Sequence, residues 1–400
     1  MSKEFVNNFQ DFQVFGEFGG VNPSIEDSST FTFLHPATME KMFHEEVKGC
    51  FLYSRHLNPS NENLSKAIAL IEGTEDALVT ASGMGAISTT LLQICKAGDE
   101  IISHRVIYGG SFAIMKNFFP RLGIKTHFVN ILDIEAVKSK ITDKTKVIYC
   151  ESLSNPMLEF PDLPALRKLS DVHDIKLIID NTFTPLCFSP NKYGAHLVIH
   201  SLTKYMNGSS DTLGGTVCGE HEFINSMKSV NDGAAMLLGP VMDSIRAASI
   251  LKNLRTLHIR MKQHSKNAMF IAENLEKKGI RVIYPGLASH PQHEAIKKSF
   301  NLEYGFSGMI TIDAVTTEKA NNLLMKMQEE QVGYFAVSLG FYKTLFSSPG
   351  KSTSSEIPED EQTEMGMSPG LIRFSMGLDD DIERTLGRIV KCMKAVGCCK

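Results

Sequence analysis

No stretch of the 400-residue chain approaches the roughly 20 consecutive apolar residues that a membrane-spanning helix needs, so no membrane segment is expected. The opening Met-Ser-Lys-Glu-Phe lacks the apolar core of a signal peptide, and a cytoplasmic location is expected. Cysteine is sparse. Its eight residues, none spaced as Cys-x-x-Cys, make neither a disulfide framework nor a zinc site, and most are expected to be reduced core residues. His290-Pro-Gln-His293 has the spacing of a ligand pair. Pro291 prevents a regular helical face there and no nearby cysteine completes a set, which predicts a loop without metal. Excess positive charge is also missing: 41 Lys and Arg face 45 Asp and Glu, a formal charge of -4, so nucleic-acid binding is not expected. What remains is an ordinary globular composition, 42% hydrophobic and 22% charged, in a chain long enough for a large core and two domains.

The stretch from Lys176 to Lys204 organises the chain. Lys-Leu-Ile-Ile-Asp180-Asn-Thr182 and His-Leu-Val-Ile-His-Ser201-Leu-Thr203-Lys204 are two short apolar runs, each ending in polar residues and separated by a Pro- and Gly-containing segment. They read as buried neighbouring strands of a parallel sheet. Ligands of open α/β sheets bind at the carboxyl ends of the strands, where Asp180 and Lys204 could converge on one molecule. Alone, each has an ordinary reading, a helix cap and a solvated loop residue. Together they suit pyridoxal phosphate, which needs a lysine for its Schiff base and a carboxylate to keep its ring nitrogen protonated. Ser201 and Thr203 add hydroxyls for a phosphate, and Gly208 allows a close turn behind the lysine.

Along the chain, residues 1 to about 50 show no sustained period but carry many aromatics, among them Phe5, Phe9, Phe12, Phe15, Phe18, Phe31 and Phe33. Disordered segments are poor in aromatics, so this arm is expected to pack on its own body or on another subunit. Tyr53 and Arg55 lie on one side of an extended segment, and Asn58-Pro59 marks the turn before a helix near Asn61. A strand over Asp76 to Ala81, the turn Ser82-Gly83-Met84-Gly85 and an apolar helix to Cys95 have the layout of a phosphate site at a helix N-terminus. Further strands are expected at Asp99 to Ser103 and Lys146 to Glu151. The first leads to Tyr108-Gly109-Gly110-Ser111, where a tyrosine could stack on a cofactor ring or pack on its own loop. Glu151, Asp180 and Ser201 then end successive strands at one edge. Alternation with helices such as Asp162 to Val172 predicts an α/β domain with a mostly parallel sheet over residues 55–250. A helical segment from Pro240 to Lys278, with a break, leads to a smaller C-terminal α+β domain over 251–400. Its strands are Gly308 to Asp313 and Leu371 to Ser375, its helices Thr317 to Glu330 and Asp380 to Val396. Ser347 to Gly370 is polar and rich in Ser, Pro and acids, which predicts an exposed loop or lid.

Taken in order, Tyr53-Ser-Arg55-x-x-Asn58-Pro59, Ser82-Gly83-Met84, Tyr108-Gly109-Gly110, Glu151-Ser152-x-Ser154-Asn155-Pro156, Asp180-Asn181-Thr182, Ser201-x-Thr203-Lys204-Tyr205, Ser338-Leu339-Gly340 and Arg373-x-Ser375 resemble the Cys/Met-metabolism family of pyridoxal-phosphate enzymes. The resemblance runs from about residue 21 to the C-terminus. It implies fold type I and pyridoxal 5'-phosphate on Lys204, whose freed amine then shuttles protons, with Asp180 at the ring nitrogen. Tyr108 would stack on the ring and assist the leaving group. Gly83, Met84, Ser201 and Thr203 would hold the phosphate, and Thr182 would touch the ring. Asn155, Ser338 and Arg373 would position an amino-acid substrate. The resemblance further implies that Tyr53 and Arg55 reach a neighbouring subunit's phosphate across the arm 1–54, making a homodimer the minimum and a homotetramer the usual assembly.

Departures from the family's pattern bear on the substrate. Gly208-Ser209-Ser210-Asp211 replaces a Gly-His-Gly-Asp-like turn, and Gly110 stands where members that cleave methionine typically carry Cys. Val337 is apolar as in those members, where cystathionine-cleaving ones commonly have Glu, and Lys343 replaces a common acid. The expected reaction is γ-elimination on a sulfur amino acid, methionine first. The alternatives are γ-replacement or cystathionine γ-cleavage. A non-catalytic cofactor-binding protein would be expected to lack Lys204 or Arg373, and this chain has both.

Overall fold

The computed structural model describes residues 4–43, 47, 49–352 and 357–399. Its larger sheet has seven strands, β1 (Asp76–Thr80), β2 (Glu100–His104), β3 (Lys125–Val129), β4 (Thr145–Glu151), β5 (Lys176–Asp180), β6 (Leu197–Ser201) and β7 (Gly215–Gly219), in the order β1-β7-β6-β5-β4-β2-β3. Strands β2 to β6 pair in parallel, while β7 runs antiparallel to both β6 and β1.

The apolar runs of β4, β5 and β6 follow from burial on both sheet faces. Ile148, Cys150, Leu177, Ile179 and Val198 join one core with Leu64 and Ile68 of the helix Pro59–Glu72 and Leu251 of the helix Ser244–Leu254. Val147, Tyr149, Ile178 and Ile199 join another with Ile87 and Leu91 of the helix Gly83–Ile94. Each such side chain contributes about 1.5–3 kcal/mol on burial. The residue that fixes register is therefore the polar one: a one-residue slip of β5 would turn Asp180 to the opposite face.

The smaller sheet, β8 (Arg281–Ile283), β9 (Met309–Asp313), β10 (Tyr334–Phe335), β11 (Leu345–Ser347) and β12 (Leu371–Ser375), has the order β10-β11-β12-β9-β8. Ile310, Ile312, Ile372 and Phe374 bury one face against the helices Leu257–Glu276, Thr317–Glu329 and Ile382–Ala395. The helical segment expected over 240–278 is broken between Leu254 and Leu257.

Three regions differ from the sequence reading. The arm contains helices, Glu4–Asp11 and Pro36–Phe43. Eight residues are too few to display a period and too few to be helical alone. The first of these helices is held by tertiary contact: Val6 is buried, Phe9 packs on the core, and Phe5 lies over Gly73, where a Cβ would come within 2.2 Å of its ring. Gly73 ends the helix Pro59–Glu72 at φ 75°, and Asn58 caps its start by accepting from the Ser60 N–H at 2.9 Å. The second region, Ser347 to Gly370, is not simply an exposed loop. It contains the helix Glu359–Glu364, and Ile357, Met365 and Met367 are buried with Met115 and Ile114 beneath it. The polar composition that suggested a loop covers only the outer side; residues 353–356 fall outside the described set. Third, His293 of the histidine pair opens a short helix, His293–Ser299, and its Nδ1 lies 2.9 Å from the Pro285 carbonyl.

Candidate active site

The carboxyl ends of β4, β5 and β6 open into a cavity of about 200 Å³. Glu151 and Asp180 are paired neighbours at the ends of β4 and β5. Asp180 is held by the Thr182 N–H, which donates to Oδ1 at 2.9 Å, with the Tyr149 hydroxyl 3.5 Å from Oδ2. Burial pushes its carboxyl pKa up. Glu151 is pushed up further, by burial and then by the charge of Asp180. Its oxygens accept from the backbone N–H groups of Tyr108 (2.7 Å) and Asn155 (3.0 Å). Glu151 thus fixes two loops that flank the cavity. The sequence reading had placed it at this edge without a role, although its position at a third strand end was the available signal.

Above the sheet edge, Ser82 caps the helix Gly83–Ile94, its Oγ accepting from the Gly85 N–H at 3.0 Å. The N–H groups of Gly83 and Met84 stand in the first turn, where a helix has no internal acceptors for them. Gly83 passes so close to β6 that a Cβ on it would lie 2.9 Å from Cβ of Ser201. Helix N-terminus and strand-end hydroxyl therefore face one point, an arrangement suited to an anion. Thr182 Oγ1 accepts from the Ser201 N–H at 2.8 Å, and Thr203 Oγ1 from the Gly214 N–H at 3.1 Å. Tyr108 is 43% exposed, with its ring over Gly110; a Cβ at 110 would sit 2.6 Å from its Cε1.

Lys204 lies in the turn after β6. Its Nζ donates to Ser338 Oγ at 3.1 Å, and burial, then the nearby Arg373, brings its pKa down to about 8. Arg373 comes from β12 of the other sheet and is 3% exposed. It donates to Asn155 Oδ1 at 3.1 Å and toward the Ser338 carbonyl at 3.5 Å, both neutral acceptors. Burial lowers its pKa to about 10, and its charge calls for an anionic partner. Val337 lines the outer wall. Gly340, at φ 78°, presses the same loop onto the lysine: a Cβ there would lie 2.6 Å from the Tyr205 nitrogen.

The cavity thus brings together Gly83, Met84, Tyr108, Asn155, Asp180, Thr182, Ser201, Thr203, Lys204, Val337 and Arg373, with Ser338 reaching it through Lys204. Tyr53 and Arg55 are elsewhere. Arg55 donates to the Met236 carbonyl at 3.0 Å and lies over the Tyr53 ring at 5.6 Å. Among the described residues no group of three or more His, Cys, Asp or Glu is arranged to hold a metal.

The donor set fits pyridoxal phosphate at each end. A protonated ring nitrogen would supply the cation that half-buried Asp180 needs, and the helix N-terminus with Ser201 would receive the phosphate. A mostly parallel α/β sheet edge that brings a partly desolvated lysine, a half-buried carboxylate on the adjacent strand and a helix N-terminus to one cavity has the layout of a pyridoxal-phosphate enzyme of fold type I. Comparison with known proteins narrows the class. Residues 6–387 match the family described as Cys/Met metabolism PLP-dependent enzyme, and the chain belongs to it. It is 43% identical to a methionine gamma-lyase of Arabidopsis thaliana, over 92% of this chain and 85% of the relative. An L-methionine gamma-lyase of Fusobacterium nucleatum subsp. polymorphum is 36% identical, over 93% and 95%. Among solved structures, one described as an O-acetylhomoserine (thiol)-lyase of Campylobacter jejuni superposes with a TM-score of 0.91 at 26% identity. It covers 98% of this chain and 99% of its own, and it carries pyridoxyl phosphate on a lysine.

Proposed function

We propose that the enzyme eliminates thiol at the γ carbon of methionine or a close thioether analogue, consuming water and releasing 2-oxobutanoate and ammonia. One observation carries the choice of substrate. The cavity's carboxylates, Glu151 and Asp180, are already engaged at its floor, whereas its outer wall presents Val337, Leu213 and Leu339. A distal ammonium would find no partner there, and desolvating one without a partner is costly. An apolar thioether end fits.

Pyridoxal phosphate, when bound, supplies an electron-withdrawing ring that stabilises negative charge on the substrate's α and β carbons. Lys204 would hold it, and the free Nζ can take and return protons at those carbons. A pKa near 8 suits that task, since the amine is then available in both forms near neutral pH. Asp180 keeps the ring nitrogen's proton in place. Gly83 and Met84 N–H groups and the hydroxyls of Ser201 and Thr203 hold the phosphate, and Thr182 bears on the ring. Tyr108 would stack on the ring, and its hydroxyl can hand a proton to the departing sulfur. Arg373 grips the substrate carboxylate by two parallel hydrogen bonds, with Asn155 and Ser338 fixing its orientation.

Tyr53 and Arg55 serve a neighbouring subunit's phosphate, with the arm 1–54 contacting that neighbour beyond the helix Glu4–Asp11, which packs on its own core, the cofactor domain over 55–250 and the C-terminal domain over 251–400. The exposure of Phe15, Phe18, Val21 and Leu34 supports a covered arm, and a dimer, assembled further into a tetramer, is the working unit. The enzyme acts in the cytoplasm. No described helix is long and apolar enough to cross a membrane.

A second reading, γ-replacement, is favoured by Gly110, because the Cys that methionine-cleaving members typically carry there is missing and the Tyr108 ring closes over the position instead. Both reactions use the same residues until water or a thiol decides the product. The deciding experiment offers methionine, cystathionine, cysteine and O-acyl homoserines with and without added thiol and identifies the products. Thiol and 2-oxobutanoate from methionine support elimination; a thioether formed only when thiol is added supports replacement.

A further inference from the structure

The turn that carries Lys204 is held from behind by a side chain with no place in the chemistry above. Arg260, in the helix Leu257–Glu276, points its guanidinium into the end of that turn. Its Nη1 donates to the Tyr205 carbonyl and its Nη2 to the Met206 carbonyl at 3.0 Å. Nη2 also donates to the Asn253 carbonyl at 3.0 Å, and Nε to Thr256 Oγ1 at 3.1 Å. All four acceptors are neutral. Two belong to the residues just after Lys204, one to Asn253 in the last turn of the helix Ser244–Leu254, and one to Thr256 in the break before the helix Leu257–Glu276.

The geometry has a physical reason. The Gly208 N–H bonds back to the Lys204 carbonyl at 2.8 Å, closing a helical turn whose next carbonyls lack internal donors, as at any helix C-terminus. At the end of the helix Ser244–Leu254 the Asn253 carbonyl already accepts from the Thr256 N–H at 3.3 Å and the Thr256 hydroxyl at 3.1 Å, and Arg260 adds a third donor that ties this end to the Lys204 turn. A planar fork of donors can serve both ends at once, which a single ammonium cannot. Gly208, at φ 74°, leaves room for it: a Cβ there would lie 2.3 Å from Arg260 Nη1. On the opposite side of the turn, Gly340 meets the Tyr205 backbone. The lysine's backbone is thus gripped between Arg260 and the loop that bears Val337 and Ser338.

We infer that Arg260 is a positioning residue for Lys204, fixing the direction from which its amine meets the cofactor and the substrate carbons. This rests on Lys204 being the cofactor lysine, and borohydride reduction of the parent followed by peptide mapping tests that separately. A label on another lysine would remove the underlying assignment; a label on Lys204 leaves the role of Arg260 to be decided by its variants.

Those variants are Arg260→Lys, Arg260→Ala and the milder Thr256→Val, which deletes one acceptor at an exposed site, compared as holoenzymes of matched cofactor content. Arg260→Lys should lower kcat by about tenfold or more with KM changed far less, as expected for a misdirected catalytic group. It should also speed hydrogen exchange in the peptide spanning 202–212 of the apoprotein and move the pH at which the bound cofactor's absorbance titrates. Thr256→Val should shift the same quantities in the same direction by less. Millimolar methylguanidinium should restore part of kcat to Arg260→Ala, and methylammonium should not. Parent-like kcat, titration and exchange in folded Arg260→Lys would overturn the inference. So would a kcat loss that only follows loss of folded protein and is absent from Thr256→Val.

Discussion

On the cavity floor Glu151 is buried and Asp180 half-buried, and each accepts a fixed hydrogen bond from the backbone. Val337, next in sequence to the Ser338 whose hydroxyl Lys204 touches, lines the same cavity and stands 61% exposed. The floor is made of strand ends whose positions are set by a sheet packed on both faces; Val337 belongs to a loop between strands. The difference assigns labour within the site. What the floor holds, the cofactor, tolerates no displacement, because buried polar groups that lose a partner carry the full desolvation cost. What the wall selects, the substrate's side chain, is set by side chains that can be exchanged without unpairing anything.

If that division is right, the largest effects come from the floor. Lys204→Ala should cost about 10²–10⁴-fold in turnover while the protein stays folded, and borohydride should no longer label this position. Retained turnover would dissolve the distinction at its centre. Arg373→Lys, at the junction of floor and wall, should lower kcat/KM by roughly 30-fold, about 2 kcal/mol, through loss of a two-bond grip, with cofactor affinity little changed. Equal losses in cofactor and substrate binding would put Arg373 on the floor alone.

A third test changes no residue. The Lys204 pKa is depressed to about 8, so its amine is protonated and unreactive below that pH and neutral above it. Capture of pyridoxal phosphate by the apoprotein should therefore rise about tenfold per unit as pH approaches 8 from below, then level off. The same depression makes the unfolded chain the stronger proton binder between about pH 8 and the ordinary lysine pKa near 10.4, so this lysine's contribution to apoprotein stability rises with pH across that window. A capture rate inflecting near the ordinary lysine value would show an amine that is not desolvated.

Wall substitutions should act on preference and leave the machinery alone. Val337→Glu should move the ratio of kcat/KM for methionine over cystathionine toward cystathionine by roughly tenfold, with the cofactor spectrum unaltered. An unmoved ratio would mean the wall does not read the side chain. The smallest expected signal concerns the neighbouring subunit. Mixing Arg55→Ala with Lys204→Ala subunits should restore a fraction of activity by regenerating sites with both residues intact, and proven hybrids without recovery would return Arg55 to a role in its own chain.

The same contrast explains what could be seen before there was a structure. Apolar runs ending in Asp180, Ser201 and Glu151 are local patterns, and the parallel sheet and its functional edge follow from them. The helix Glu4–Asp11 escaped because its stability comes from Phe5 on Gly73 and Val6 in the core, not from its own eight residues. Strand β7, with glycine at both ends, carries too little pattern to mark an antiparallel insertion between β1 and β6. Ile357, Met365 and Met367 were hidden by the acids around them. Arg260 looks like any surface arginine until the helix break and the Lys204 turn are brought to either side of it.

Gly340 adds a practical consequence. With its left-handed backbone pressed against Tyr205, it admits no side chain and leaves Ser338 to Gly340 in fixed register with the lysine. Val337 before it, which lines the cavity, and Phe341, Tyr342 and Lys343 after it have no such left-handed backbone. A combinatorial library that randomises those four positions and spares the three between them would search substrate scope directly, since its members would differ in what they admit while keeping the same reactive amine in the same place.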